Sequence, residues 1–248
     1  MKTKALQRFE SRINAFNTDL ELADFLIRSF LNQKNSEQSI SESISKHPTQ
    51  YPHINNRKNN TQSRKIIGQH LKRTIHVGYI KEIYEDFYEF LSTSLANASE
   101  TGIDSKHFIG NAKIDVSAAE ILNMTSIQEA TRYISEKIFR TLENERNTQK
   151  LIKRIADRLG LNINLKLISD AMPYLDSRHI FVHRDGKPDD YYKKSYPNIP
   201  IKNKGIETNY QFVTDARSTV LALAENIDEE IIANKLCKKD HLHGPQKK

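Results

Sequence analysis

Apolar residues recur at Leu6, Phe9, Ile13, Phe16, Leu20, Ala23, Ile27 and Phe30, at spacings that alternate between three and four. This is a helix stripe over residues 3–31, and its period of about 3.5 favours packing along another helix at a shallow angle. The partner helix is either internal or that of a second copy of the chain. A stronger stripe follows at Ile67, Leu71, Ile75, Tyr79, Ile83, Phe87 and Leu91, which predicts a central helix from Arg64 to Leu95. Its first turns are basic and its later turns acidic, against the helix dipole, so charges elsewhere must compensate or the cost is tolerated. Between these stripes, residues 32–62 turn to Asn, Gln, Ser, Lys and His. A segment with so little to bury reads as a long, partly disordered connection.

Residues 97–114 carry Gly102 and Gly110 and read as a loop. A short helix is expected over Ser117–Met124, and Ser126 with Glu129 forms the capping box of a longer one that ends near Asn144. A further helix starts at Thr148 and stops at Gly160, placed for a left-handed cap. Leu165–His183 is apolar enough for another helix, begun again at Pro173, since proline is tolerated in a first turn. Asp185-Gly186 and Lys187-Pro188-Asp189 break it, and a final helix spans Gln211–Leu236 before a frayed basic tail over 238–248. No segment alternates as a strand. The expectation is one all-α domain over 1–248, an up-and-down helical bundle with a long polar loop after its first helix.

Eight glycines, seven prolines and no tryptophan agree with long helices. The 38 Lys and Arg against 31 Asp and Glu leave a net charge of +7, which permits a polyanionic partner without requiring one. No apolar run reaches the length of a membrane span. One cysteine, Cys237, cannot form an internal disulfide and no leader pattern opens the chain, so a cytoplasmic location is expected. Cys237, His241 and His243 do not make a zinc set, and neither a phosphate-binding glycine loop nor a nucleophile elbow is present. No metal and no cofactor are therefore expected.

The candidate chemistry lies in Ser177-Arg178-His179-Ile180-Phe181-Val182-His183-Arg184-Asp185-Gly186. A histidine can take the proton of a ribose 2′-hydroxyl while a guanidinium stabilises charge developing on the phosphate. Arg178 and His183 are five residues apart, so on one helix their side chains diverge by about 140°. They converge only if the helix ends between them or if two chains share a site, and the turn at Asp185-Gly186 suggests the former. A surface ion pair and a helix-capping histidine would leave the same two residues. Arg184, Lys187, Lys193 and Lys194, interleaved with Tyr191, Tyr192 and Tyr196, offer cations for phosphates and rings for bases, or a solvated loop packed on the bundle.

The segment 177–192 resembles the HEPN superfamily, whose hallmark is Arg, a polar residue and then His after a gap of four to six residues; here His179 fills the polar place. Val-His-x-x-Gly-x-x-Asp followed by Tyr191 or Tyr192 is similar to variants in abortive-infection and RiboL-PSP-type HEPN proteins. The resemblance implies a homodimer in which two motifs face each other across one cleft. It also implies metal-independent RNA cleavage in a defence or toxin–antitoxin system, leaving a 2′,3′-cyclic phosphate and a 5′-hydroxyl. His183 would activate the 2′-hydroxyl, Arg178 would hold the phosphate and His179 would assist. Arg184, Lys187, Tyr191 and Tyr192 would contact RNA, with Glu82 or Glu85 as a further acidic group. An antitoxin or another defence protein is the expected protein partner. Asp185 stands where a subgroup of HEPN toxins carries a modifiable tyrosine, which speaks against silencing by that route. Two other readings compete: a non-catalytic helical module that recruits a nucleic-acid enzyme or antitoxin, and a regulatory DNA-binding protein.

Overall fold

Thr3 begins the first helix by accepting the Leu6 N–H on its hydroxyl, and a cap of this kind recurs at Asn60, Asn147, Asn164 and Asn209. A computed structural model describes residues 1–45, 47, 50–101, 115–143 and 147–244. Among them are ten α-helices: α1 (Lys4–Leu31), α2 (Ile40–Ile44), α3 (Pro52–Asn55), α4 (Thr61–Ser99), α5 (Ala118–Leu122), α6 (Ile127–Glu143), α7 (Thr148–Leu159), α8 (Leu165–His183), α9 (Asp190–Ser195) and α10 (Tyr210–Ala233). Four two-residue strands and a 3-10 turn over Lys239–His241 are also present among the described residues. β1 (Lys2–Thr3) pairs antiparallel with β4 (Leu242–His243), and β2 (Ile201–Lys202) with β3 (Gly205–Ile206). The chain is all-α in class, as its periodicity predicts.

Four long helices run alternately up and down. As α1 advances from Phe9 through Phe16 to Asp24, its partners on α4 recede from Phe90 and Phe87 through Tyr79 to Lys72. The stripe on α1 therefore finds its partner within the chain. α8 opposes α4, since Arg178 meets Glu85 and Asp185 meets Arg73. α10 opposes α8, with Phe212 against Tyr174 and Phe181 at one end and Asn226 against the Asn164 N–H at the other. It closes on α1 where Arg217 donates to Asn14 at 3.0 Å. α4, 39 residues and about 58 Å long, carries the core between these helices through Tyr79, Ile80, Ile83, Phe87, Leu91 and Leu95, all nearly inaccessible. α6 and α7 cover its later half, with Phe139 edge-on to Tyr88 and Leu151 and Ile152 fully buried.

The charge order of α4 is balanced by its neighbours. Asp24 accepts from Lys72 at 2.9 Å, Arg73 reaches Asp185 at 3.1 Å, and Arg12 of α1 binds both Asp86, at 2.7 Å, and Glu89. Helix dipole and side-chain charge are thus reconciled across the bundle, not along the helix.

Three expectations are corrected. The segment 32–62, expected as a long, partly disordered connection, forms α2 and α3 among its described residues, and Ser39 and Lys58 form an antiparallel bridge. Ser39 and Glu42 cap α2 reciprocally, and Asn55 accepts from both Ser39 and Ser41. Arg64, 2% exposed, is held by Asn59 at 2.6 Å and Asn35 at 2.9 Å. Hydroxyls and amides satisfy the backbone here where apolar burial is scarce. Nor does α8 restart at Pro173; it runs unbroken through that residue because Ala171, Met172 and Leu175 on both sides are locked in the core. The described part of the tail is not frayed: β4 completes the pair with β1, and Lys238 reaches Glu100 at 3.2 Å. The greater part of the loop expected over 97–114 lies outside the described residues.

Phe87 is fully buried where α1 meets α4. Phe87→Ala is expected to cost about 3–5 kcal/mol, read as a lower urea midpoint with unchanged slope. His76, also buried, donates from Nδ1 to the Thr208 carbonyl at 2.8 Å, and burial lowers its pKa against the smaller opposing effect of that bond. A histidine whose folded pKa is lowered binds its proton more readily when unfolded. Its stabilising contribution is therefore complete above about pH 6.5 and is lost as pH falls through the folded value. Urea midpoints at pH 7.5 and 5.5 should show this fall in the wild type and a smaller one in His76→Gln.

Candidate functional site

The final turns of α8 hold the sequence-predicted residues, and the helix does not end between them. Ile180 and Phe181 are buried, so core contact carries the helix as far as His183. The break comes afterwards, where the Arg184 and Gly186 N–H groups both donate to the Ile180 carbonyl and Asp185 and Gly186 adopt φ of 50° and 77°. The expected intramolecular convergence of Arg178 and His183 is thereby overturned. Along a continuous helix they stand about 7.5 Å apart in rise and about 140° apart in direction.

Arg178 turns toward α4. Its guanidinium lies 5.0 Å from the Tyr84 ring centroid and its Nη2 is 3.6 Å from Glu85, while Nε is buried with no partner among the described residues. The side chain keeps 30% of its surface. Stacking on Tyr84 fixes the plane of the fork, and the 3.6 Å separation from Glu85 is longer than a hydrogen bond.

His179 and His183 lie one turn apart on the solvent side, with ring centroids separated by 4.7 Å. Neither ring has a hydrogen-bond partner among the described residues. Partial burial lowers the His179 pKa, and the proximity of His183, Arg184 and Arg178 lowers it further, with Asp189 opposing. The imidazole is therefore inclined to be neutral near pH 7.

The turn after α8 is pinned at both ends. Arg73 donates to the Asp185 carbonyl at 2.6 Å, and Arg184 pairs with Asp189 at 3.3 Å while Asp189 caps α9 through the Tyr192 N–H. Arg184, Lys187, Lys193, Lys194 and Tyr191 face solvent. Tyr192 does not: it is 3% exposed and its hydroxyl donates to the Pro173 carbonyl at 2.7 Å. Its ring belongs to the core that holds α9 on α8, which takes it out of reach of a base. Glu85 is the acidic candidate that faces Arg178, whereas Glu82 lies with it in a groove between α1 and α4. His241 is 3.6 Å from Glu100, and no cluster of three metal-ligating side chains occurs among the described residues.

Asp176 was not singled out by the sequence reading. It lies one turn before His179 on the same helix, is largely buried, and accepts from the hydroxyl of Tyr196. Burial raises its pKa, with Tyr196 and Thr148 opposing. The carboxyl therefore sits behind His179 and ties α9 to α8 from the inner side. Its only sequence signal is the three-residue spacing to His179, which any helix contains. No family model, curated protein or solved structure matches this chain.

Because Tyr196 is a hydroxyl partner of a largely buried carboxyl, Tyr196→Phe removes one of its donors and leaves it to Thr148. A loss of about 1–3 kcal/mol is expected, measured by urea unfolding at pH 7.

Proposed function

We propose that this protein is a metal-independent endoribonuclease that acts as a homodimer in a defence or toxin–antitoxin setting. The observation that carries this reading is the paired, solvent-facing imidazoles of His179 and His183, bracketed by Arg178 and Arg184 on the last turns of one helix. The HEPN-like order of Arg178, His179 and His183 supplies the chemistry. His183 takes the 2′-hydroxyl proton, and the resulting alkoxide attacks the adjacent phosphorus. The bond to the 5′-oxygen breaks, leaving a 2′,3′-cyclic phosphate and, after protonation of the leaving oxygen, a 5′-hydroxyl. A guanidinium neutralises the charge that builds on the non-bridging oxygens.

One α8 cannot direct Arg178 and His183 to a single phosphate, because the first leans on α4 and the second points away from it. A two-chain site, with Arg178 of one copy opposite His183 of the other, resolves that divergence and is the arrangement the resemblance implies. Arg184, Lys187 and Tyr191 extend the site toward the flanking nucleotides, where exposed cations and a ring suit single-stranded RNA. No helix among the described residues is long and apolar enough to cross a membrane.

Incubation of the wild type with RNA in EDTA should yield products with cyclic phosphate ends. His183→Ala should lower the rate by about 10²–10⁴-fold, and Arg178→Lys should retain part of the activity, since it keeps the charge and loses the fork. The contact of Arg178 with Tyr84 and Glu85 favours a second reading, in which the arginine is structural and the helical domain only recruits a nucleic-acid enzyme or antitoxin. A folded dimer that cleaves nothing, with or without His183, would select that alternative.

A further inference from the structure

A turn of α-helix sets residues four apart side by side, and α8 is unbroken from Leu165 to His183. His179 and His183 are therefore held on one rigid element, and their 4.7 Å centroid separation lets one nitrogen of each ring approach a common ion at the usual 2.0–2.1 Å. Neither ring is committed to a hydrogen bond among the described residues, so the lone pairs are free. We propose that His179 and His183 form a chelating site for a late first-row divalent metal ion of the zinc, nickel and copper class, and that occupancy blocks the site.

Imidazole nitrogens select these ions over magnesium or calcium, which demand oxygen ligands. The neighbouring charges are mixed. Arg178 and Arg184 oppose a cation, whereas the negative charge of Asp189, paired with Arg184 at 3.3 Å, partly offsets them. With no third His, Cys, Asp or Glu ligand grouped with the pair, water completes the coordination shell. Such a site exchanges its ion readily and so acts as a reversible block, not as a structural centre.

The blocking clause rests on the ribonuclease reading: a metal on the His183 lone pair leaves it unable to accept the 2′-hydroxyl proton. Binding itself does not depend on that reading. Zinc titrated into the full chain by calorimetry should give one site that weakens at least tenfold in His179→Ala and again in His183→Ala, but not in Cys237→Ser. Copper(II) bound to the wild type should give an electron paramagnetic resonance spectrum with coupling to two imidazole nitrogens, reduced to one in either histidine variant. Zinc affinity and copper coupling unchanged by both histidine substitutions would overturn the site. Zinc should also stop wild-type RNA cleavage, and EDTA should restore it; cleavage that persists with the site saturated would overturn the block. A protein that binds zinc through the pair yet never cleaves RNA refutes the nuclease reading and leaves the metal site standing.

Discussion

Burial of one face of α4 against α1 is the contact from which the remaining architecture follows. Phe9 meets Phe87 and Phe90, Phe16 meets Tyr79, and Leu91 and Leu95 continue the same face until α6 and α7 take over. Aromatic side chains carry a large apolar area each, and here several are stacked or edge-on along two antiparallel helices. A surface of this kind cannot remain half covered in water. α8 and α10 close it from the other side, and in closing it they fix where the end of α8 emerges.

That closure explains why the last turns of α8 are unusual. Ile180 and Phe181 anchor the inner side of the helix, so Arg178, His179 and His183 inherit fixed directions from its pitch. Arg73 on α4 then clamps the turn at Asp185, and the Asp176–Tyr196 and Tyr192–Pro173 contacts clamp α9. The exposed imidazoles stand on a surface held from three sides. Groups that must act on a phosphate, or share an ion, benefit from such a rigid support because little ordering remains to be done on binding.

Charge placement links the same elements. The acidic later turns of α4 draw Arg12 from α1 and Arg178 from α8, while its basic early turns draw Asp24 and Asp185. The solvent-exposed pairs among these, such as Arg73 with Asp185, contribute little stability each. Their larger effect is on register: only one alignment of the three helices brings every pair together.

Much of this was legible in the chain. Spacings of three and four locate α1, α4 and α10 to within a few residues, apolar content locates α8, Gly160 marks a left-handed cap, and the order of Arg178, His179 and His183 points to the end of α8. What periodicity could not supply was anything decided by a distant partner. Pro173 looked like a boundary because local rules disfavour it inside a helix, yet core contacts on either side carry the helix through. Residues 32–62 looked unstructured because their satisfaction comes from amides and hydroxyls many positions apart, as Asn55 does for Ser39 and Ser41. Tyr192 was indistinguishable from Tyr191, and only packing on Pro173 turned one inward and left the other in solvent. Local sequence determines helix periodicity and caps because those depend on neighbours within one or two turns. That α8 continues unbroken to His183, and hence that Arg178 and His183 diverge, depends on the long-range burial of Ile180 and Phe181 and was settled only by the tertiary fold.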